Sequence, residues 1–144
     1  MRPTLVQKFG GTSVGSVARI HHVATLAMAA QRAGHDVVVV VSAMSGETNR
    51  LLALADEVSD AGDRKERDAL AASGEQASAA LTAMAIQAAG GKARSFLGHQ
   101  IRVITDSNYG DARVLRVEAE ALRASLAKGE IPVVAGFQGI DETG

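Results

Sequence analysis

Five consecutive valines, residues 37–41, constrain this chain more than any other feature. β-branched side chains are stiff at χ1 and favour extended backbone. A strand with one wet face alternates apolar and polar residues, and this run does not. It is expected to be a strand covered on both faces, as strands of parallel sheets are. Such cover comes from helices, and the preceding sequence reads as one. Val17, Ile20, Ala24 and Ala27 recur at spacings of three and four behind Ser16, an N-cap candidate. Gly34 stands where a C′ glycine ends such a helix.

The same alternation continues along the chain. Leu5 and Val6 open a short strand that runs into Lys8 and Phe9, and Gly10, Gly11 and Gly15 punctuate the loop behind it. Residues 42–48 form a small polar loop. Residues 49–58 return to helical spacing through Leu51, Leu52, Leu54, Ala55 and Val58. Residues 60–68 are the most charged stretch and are expected to be exposed. Residues 70–89 read as an Ala-rich helix, apolar around much of its circumference and therefore buried. Residues 93–97 and 101–105 read as strands, 106–111 as a loop and 117–126 as a helix. Residues 131–135 form another apolar strand, followed by the loop Gly136-Phe137-Gln138-Gly139. The fold class expected is α/β, a largely parallel sheet sandwiched by helices. Residues 141–144 resemble a hairpin tip with no returning strand, so the fold is expected to be incomplete at its C-terminal end.

The 144 residues suffice for one domain with a core. Hydrophobic residues make up 47% but aromatics only 3%, so Ala, Val, Leu and Ile must build the interior. A net charge of -1, with both signs mixed, gives no electrostatic reason for a nucleic-acid or membrane partner. The absence of cysteine excludes disulfides, thiolate metal sites and a catalytic thiol. No signal-peptide core opens the chain, and no apolar run approaches membrane-spanning length, so a cytoplasmic protein is expected. His21 and His22 are adjacent and diverge by about 100° on a helix. His35 and His99 sit at loop edges. None has metal-ligand spacing, so no protein-built metal site is expected.

The first loop carries the clearest chemistry. Lys8-Phe9-Gly10-Gly11-Thr12-Ser13 follows the first strand directly, and in open α/β sheets ligands bind beyond the carboxyl ends of strands. Gly10 and Gly11 let backbone N–H groups approach phosphate oxygens, and Thr12 and Ser13 add hydroxyl donors. Lys8 can place a cation where charge spreads in phosphoryl transfer. A plain strand–turn–helix joint with an incidental lysine explains the same residues about as well. Neither G-x-x-x-x-G-K-[ST] nor G-x-G-x-x-G occurs. Glu75 stands among small and apolar residues, where a buried carboxylate needs a cationic partner. Alternatively, Ser73 and Gln76 form a capping box and Glu75 merely favours a helix N-terminus. Thr48 equally reads as an N-cap.

Five ordered segments together resemble the aspartokinases, within the amino acid kinase family. They are Val6 with the loop through Gly15, the run from Val39 to Asn49, Ser73-Gly74-Glu75-Gln76, Ile104-Thr105-Asp106, and Val134-Ala135-Gly136-Phe137-Gln138-Gly139. The resemblance spans nearly the whole chain. It implies transfer of the γ-phosphoryl of ATP to the side-chain carboxylate of L-aspartate, giving 4-phospho-L-aspartate for lysine, threonine and methionine biosynthesis. It implies that Lys8 is catalytic. Lys8, Phe9, Gly10, Gly11, Ser13 and Ser42 would bind ATP phosphates. Gly46, Thr48 and Glu75 would bind aspartate, Glu75 through its ammonium. Mg²⁺ would arrive with the nucleotide, and a homo-oligomer or association with the rest of the enzyme is expected. Asp106 and Arg113 receive no role.

Aspartokinases continue beyond the stretch matched here, with a Gly-Gly-Ser-Asp segment, a nucleotide loop and regulatory ACT domains. Residues 1–144 are therefore expected to be the N-terminal, amino-acid-binding part of the kinase domain, inactive alone. Kinases of N-acetylglutamate, glutamate or nucleoside monophosphates are same-fold alternatives. A non-catalytic truncated domain, acting in oligomerisation or regulation, is the different-class one.

Overall fold

The valine run forms β2 (Asp36–Val41), at the centre of a computed structural model that describes residues 2–144. The order along the chain is β1 (Thr4–Phe9), a 3₁₀ turn (Gly11–Val14), α1 (Val17–Arg32), β2, α2 (Glu47–Val58) and α3 (Arg64–Ala88). Then come β3 (Ala93–Phe96), α4 (Gly98–Ile101), β4 (Val103–Thr105), β5 (Val114–Val117), α5 (Glu120–Ala127) and β6 (Ile131–Ala135). One sheet has the order β1-β2-β6-β3, and each neighbouring pair in it is parallel. β4 and β5 form a separate antiparallel ribbon with an irregularity between Ile104 and Thr105.

The sheet is covered on both faces, as the valines require. Val37, Val39 and Val41 join Val133 and Ala135 against α1 and α3, with Ile20, Val23, Ala24, Ala27, Ala79, Ala83 and Ile86. Val38 and Val134 face the other way, onto Phe96, Ile101 and the α5 residues Leu122 and Leu126. β1 is an edge strand. Its alternate residues are exposed, and Val6 keeps 60% of its surface.

Several boundaries follow the expected chemistry. The Ser16 hydroxyl accepts the Arg19 N–H at 3.3 Å, capping α1. Gly34 has φ of +97° just past the end of that helix, a conformation that favours glycine. Other expectations are corrected. α3 begins six residues before residue 70, because Asp63 caps it by accepting the Lys65 N–H at 2.9 Å. Ser73 and Gln76 are therefore mid-helix and form no capping box. Ser73 instead donates to the Leu70 carbonyl at 2.6 Å. α3 buries one face only, leaving Met84 61% exposed. Val17, expected on the core face of α1, is exposed, as is Val58 at the end of α2. Residues 101–105 divide between α4 and β4, with Arg102 left-handed at the junction (φ +44°). Val117 ends β5 instead of opening a helix.

Candidate active site

Parallel pairing brings three strand ends level. Phe9 lies opposite Val41, and Val41 opposite Ala135. The ladder extends one step further: Ser42 N–H donates to Phe9 O at 3.1 Å, and Gly136 N–H to Val41 O at 2.9 Å. α1 and α3 cover one face here while α5 covers the other. Where helices change sides, the loops beyond the strands part and leave a crevice.

The loop after β1 lies beside these strand ends. Lys8 is exposed at the strand end, whereas the Phe9 side chain packs into the core, leaving only its backbone near the loop. Gly10 is extended (φ -74°, ψ 175°), and a Cβ there would meet nothing within 4 Å. Gly11 is different: its Cβ would lie 3.0 Å from the Ala43 carbonyl oxygen, so this loop presses against the loop after β2. Ser13, half-buried, donates its N–H to Gly10 O at 3.0 Å, and Ser42 is half-buried beside Phe9.

The loop after β2 leads into α2 through Gly46, whose φ of +80° a residue with a side chain adopts only under strain. Gly46, not Thr48, is the N-cap residue. Thr48 sits inside the first turn, and its side chain lines a cleft of about 600 Å³. Glu75 lines the same cleft from α3. Gly74 lets the helix approach. A Cβ there would fall 3.2 to 3.3 Å from Leu51, Ala43 and Glu47.

Glu75 is 8% exposed. Its Oε2 accepts the Phe137 N–H from the loop after β6. Burial raises its pKa; the N–H groups of Phe137, Ala43 and Gly136 oppose that shift, as does the Lys8 charge. The Gly136 N–H is already directed at Val41 O, so the Phe137 N–H is the donor that matters most. Among the described residues the carboxylate has no full counter-ion, which is the state expected of a group awaiting a cation. The smallest of these influences, the Lys8 charge, comes from the end of β1 beside the glycine loop.

Residues 3–144 match the amino acid kinase family. The chain belongs to that family. It is 49% identical over 140 residues to an aspartate kinase of Pseudomonas putida, covering 97% of this chain and 34% of that protein. It is 46% identical over 138 residues to aspartokinase 2 of Bacillus subtilis, covering 96% and 34%. The chain thus spans about a third of the length of these curated relatives, 34% in each case. Among solved structures, aspartate kinase from Synechocystis superposes with a TM-score of 0.78 at 42% identity, over 94% of this chain and 22% of that one. E. coli aspartokinase III, in complex with aspartate and ADP, gives 0.82 at 21% identity over 98% and 42%, a likeness of fold.

For this amino acid kinase chain, the sequence-predicted residues fall into two groups. Lys8, Gly10, Gly11, Ser13 and Ser42 cluster at the ends of β1 and β2. Gly46 precedes the cleft that Thr48 and Glu75 line. Sequence reasoning missed the far wall. Arg64, Asp68 and Ala71 line the cleft at helical spacing before Glu75, with Arg67 beside them. Arg67 pairs with Asp56 at 2.6 Å, and Asp68 accepts the Gly110 N–H at 2.7 Å. The signal was present: Asp63 and Glu66 have N-cap and first-turn spacing, which would have started the helix at Arg64. Asp106 closes its own loop by accepting the N–H groups of Asn108 and Arg113. Among the described residues, no group of three or more His, Cys, Asp or Glu side chains is placed to hold a metal, and no helix is long and apolar enough to cross a membrane.

Proposed function

We propose that this chain is the amino-acid-binding part of an aspartate kinase domain, acting within a longer protein to phosphorylate the L-aspartate side-chain carboxylate. The observation that carries the reading is Glu75, a buried carboxylate without a full counter-ion, in a cleft shared with Thr48. A substrate ammonium satisfies it. N-acetylated amino acids and nucleoside monophosphates carry no such ammonium, so the same observation disfavours those substrates. The aspartate kinases among the relatives support the choice of aspartate.

The residues present fit the phosphates of ATP. Lys8 is exposed at the strand end, and Gly10 opens onto free space. They offer no acidic cluster, so Mg²⁺ would be held chiefly by the phosphates, whose charge it neutralises. Lys8 places its cation where charge spreads over the transferring group, and Ser13 and Ser42 add donors at the same strand ends. Glu75 orients aspartate by its ammonium, and the Thr48 hydroxyl donates to a substrate carboxylate. No covalent enzyme intermediate is needed, since holding both reactants in line lowers the barrier. The product, 4-phospho-L-aspartate, leads to lysine, threonine and methionine. A cytoplasmic homo-oligomer belongs to the same proposal.

The test is hydroxylamine trapping of the acyl phosphate by the full-length protein with MgATP. Aspartyl hydroxamate is the expected product. Phosphorylation of glutamate, N-acetylglutamate or a nucleotide, with none of aspartate, would refute the assignment.

A further inference from the structure

Gln138 has no part in the reading above, yet it is fastened more firmly than any neighbour in its loop. Its side-chain amide donates to Ala135 O at 2.8 Å and to Phe96 O at 3.3 Å. These carbonyls belong to the last residues of β6 and β3, adjacent parallel strands. The side chain lies on Gly98, where an added Cβ would come within 3.2 to 3.4 Å of Gln138 Cγ, Cβ and Cδ. Its Oε1 is buried without a partner among the described residues. An unsatisfied buried oxygen is costly, so the two donated bonds must hold the amide in place. Only Gly136 and Phe137 lie between Ala135 and Gln138. Fixing both ends of so short a span leaves its peptide planes little freedom. One of them carries the Phe137 N–H that donates to Glu75.

We propose that Gln138 is a positioning residue: it clamps the turn after β6 to the ends of β6 and β3, and so aims the Phe137 N–H at Glu75. This rests on the reading of Glu75 as the partner of the substrate ammonium. Without the clamp, the Phe137 N–H swings off the carboxylate. Glu75 then loses its closest donor, its protonated form gains, and the ammonium loses its partner on the acid side. The Lys8–Ser13 loop, at the opposite edge of the sheet from β3, is untouched. The effect is therefore selective for aspartate over ATP.

Two variants of the full-length protein test this. Gln138→Met keeps the side chain's length and removes the donor. Gly98→Ala leaves Gln138 in place but crowds its seat. Each is expected to raise KM for aspartate by about tenfold or more, the net worth of a hydrogen bond to a charged group. Each should leave KM for ATP unchanged and move the acid limb of kcat/KM for aspartate to higher pH. Selective ¹⁵N-phenylalanine labelling supplies a readout that needs no catalysis. The Phe137 amide proton, shifted downfield by a carboxylate acceptor, should lose that shift in Gln138→Met. A folded variant with an unchanged Phe137 resonance and an unchanged acid limb would overturn the proposal, as would equal rises in KM for aspartate and ATP. Wild-type protein that phosphorylates no aspartate would instead refute the reading of the site, while the Phe137 resonance still decides the clamp.

Discussion

Replacing Glu75 by Gln separates the binding role proposed for this residue from what it costs the fold. The amide keeps the shape and an acceptor for the Phe137 N–H, and removes only the charge. A charge-assisted hydrogen bond contributes about 1.5–3 kcal/mol, so KM for aspartate should rise roughly tenfold to more than a hundredfold. KM for ATP should hold. Stability should move the other way. The pKa of Glu75 is raised in the folded state, mainly by burial. The folded protein therefore holds that proton more tightly than the unfolded chain does. Its contribution is most favourable below the ordinary glutamate pKa and is lost as pH rises through the folded value. At neutral pH the wild type carries a buried charge that Gln lacks, so Glu75→Gln should melt higher at pH 7. The gain should vanish on acidification. In the wild type, KM for aspartate at saturating MgATP should rise as pH falls through a midpoint above that of an ordinary glutamate. The assays are hydroxamate formation against aspartate concentration and thermal melting across pH. An unchanged KM for aspartate, or a lower melting temperature at pH 7, would refute the argument.

Other substitutions probe the remaining parts. Lys8→Ala should lower kcat by about 100-fold or more, the scale of losing one preorganised charge contact, with the melting temperature unchanged because Lys8 is exposed; hydroxamate turnover at saturating substrates checks it. Gly10→Ala should fold normally but raise KM for ATP, whereas Gly11→Ala should also lower thermal stability, by about 1–3 kcal/mol, because the Ala43 carbonyl stands 3.0 Å from its new Cβ. Melting curves and ATP titrations separate the two. Gly74→Ala sets a crowding cost of about 1–3 kcal/mol against about 0.8–1 kcal/mol of helix propensity, so denaturant unfolding should show a loss of up to about 2 kcal/mol.

What the sequence made legible follows from how local each signal is. The valine run identified a strand buried on both faces without any partner being known, because β-branched residues without polar alternation have few other uses. Ser16 and Gly34 marked the ends of α1 for the same reason: a cap is a contact within one turn. The misplaced features depend on distant neighbours. Val17 lies on the apolar stripe of α1, yet in the fold it is left 63% exposed. Met84 belongs to an Ala-rich helix that periodicity alone would bury, but only one face of α3 meets the sheet. Residues 60–66 are exposed as their charge suggests, but Asp68 is half-buried and anchors Gly110 across the cleft.

The glycine loop shows where local reasoning stops. In sequence Gly10 and Gly11 are equivalent, two adjacent residues freed of Cβ for the sake of a phosphate. In the fold they answer to different demands. Gly11 is required by the protein itself, since the loops after β1 and β2 meet there backbone to backbone. Gly10 is required by nothing in the fold: its dihedrals suit any residue and its Cβ would meet open space. A glycine kept against a folding cost where the fold has no need of it points outward, to whatever occupies that space. So of the pair it is Gly10, the one without contacts, that speaks for a ligand, and its nearest charged neighbour along the chain is Lys8.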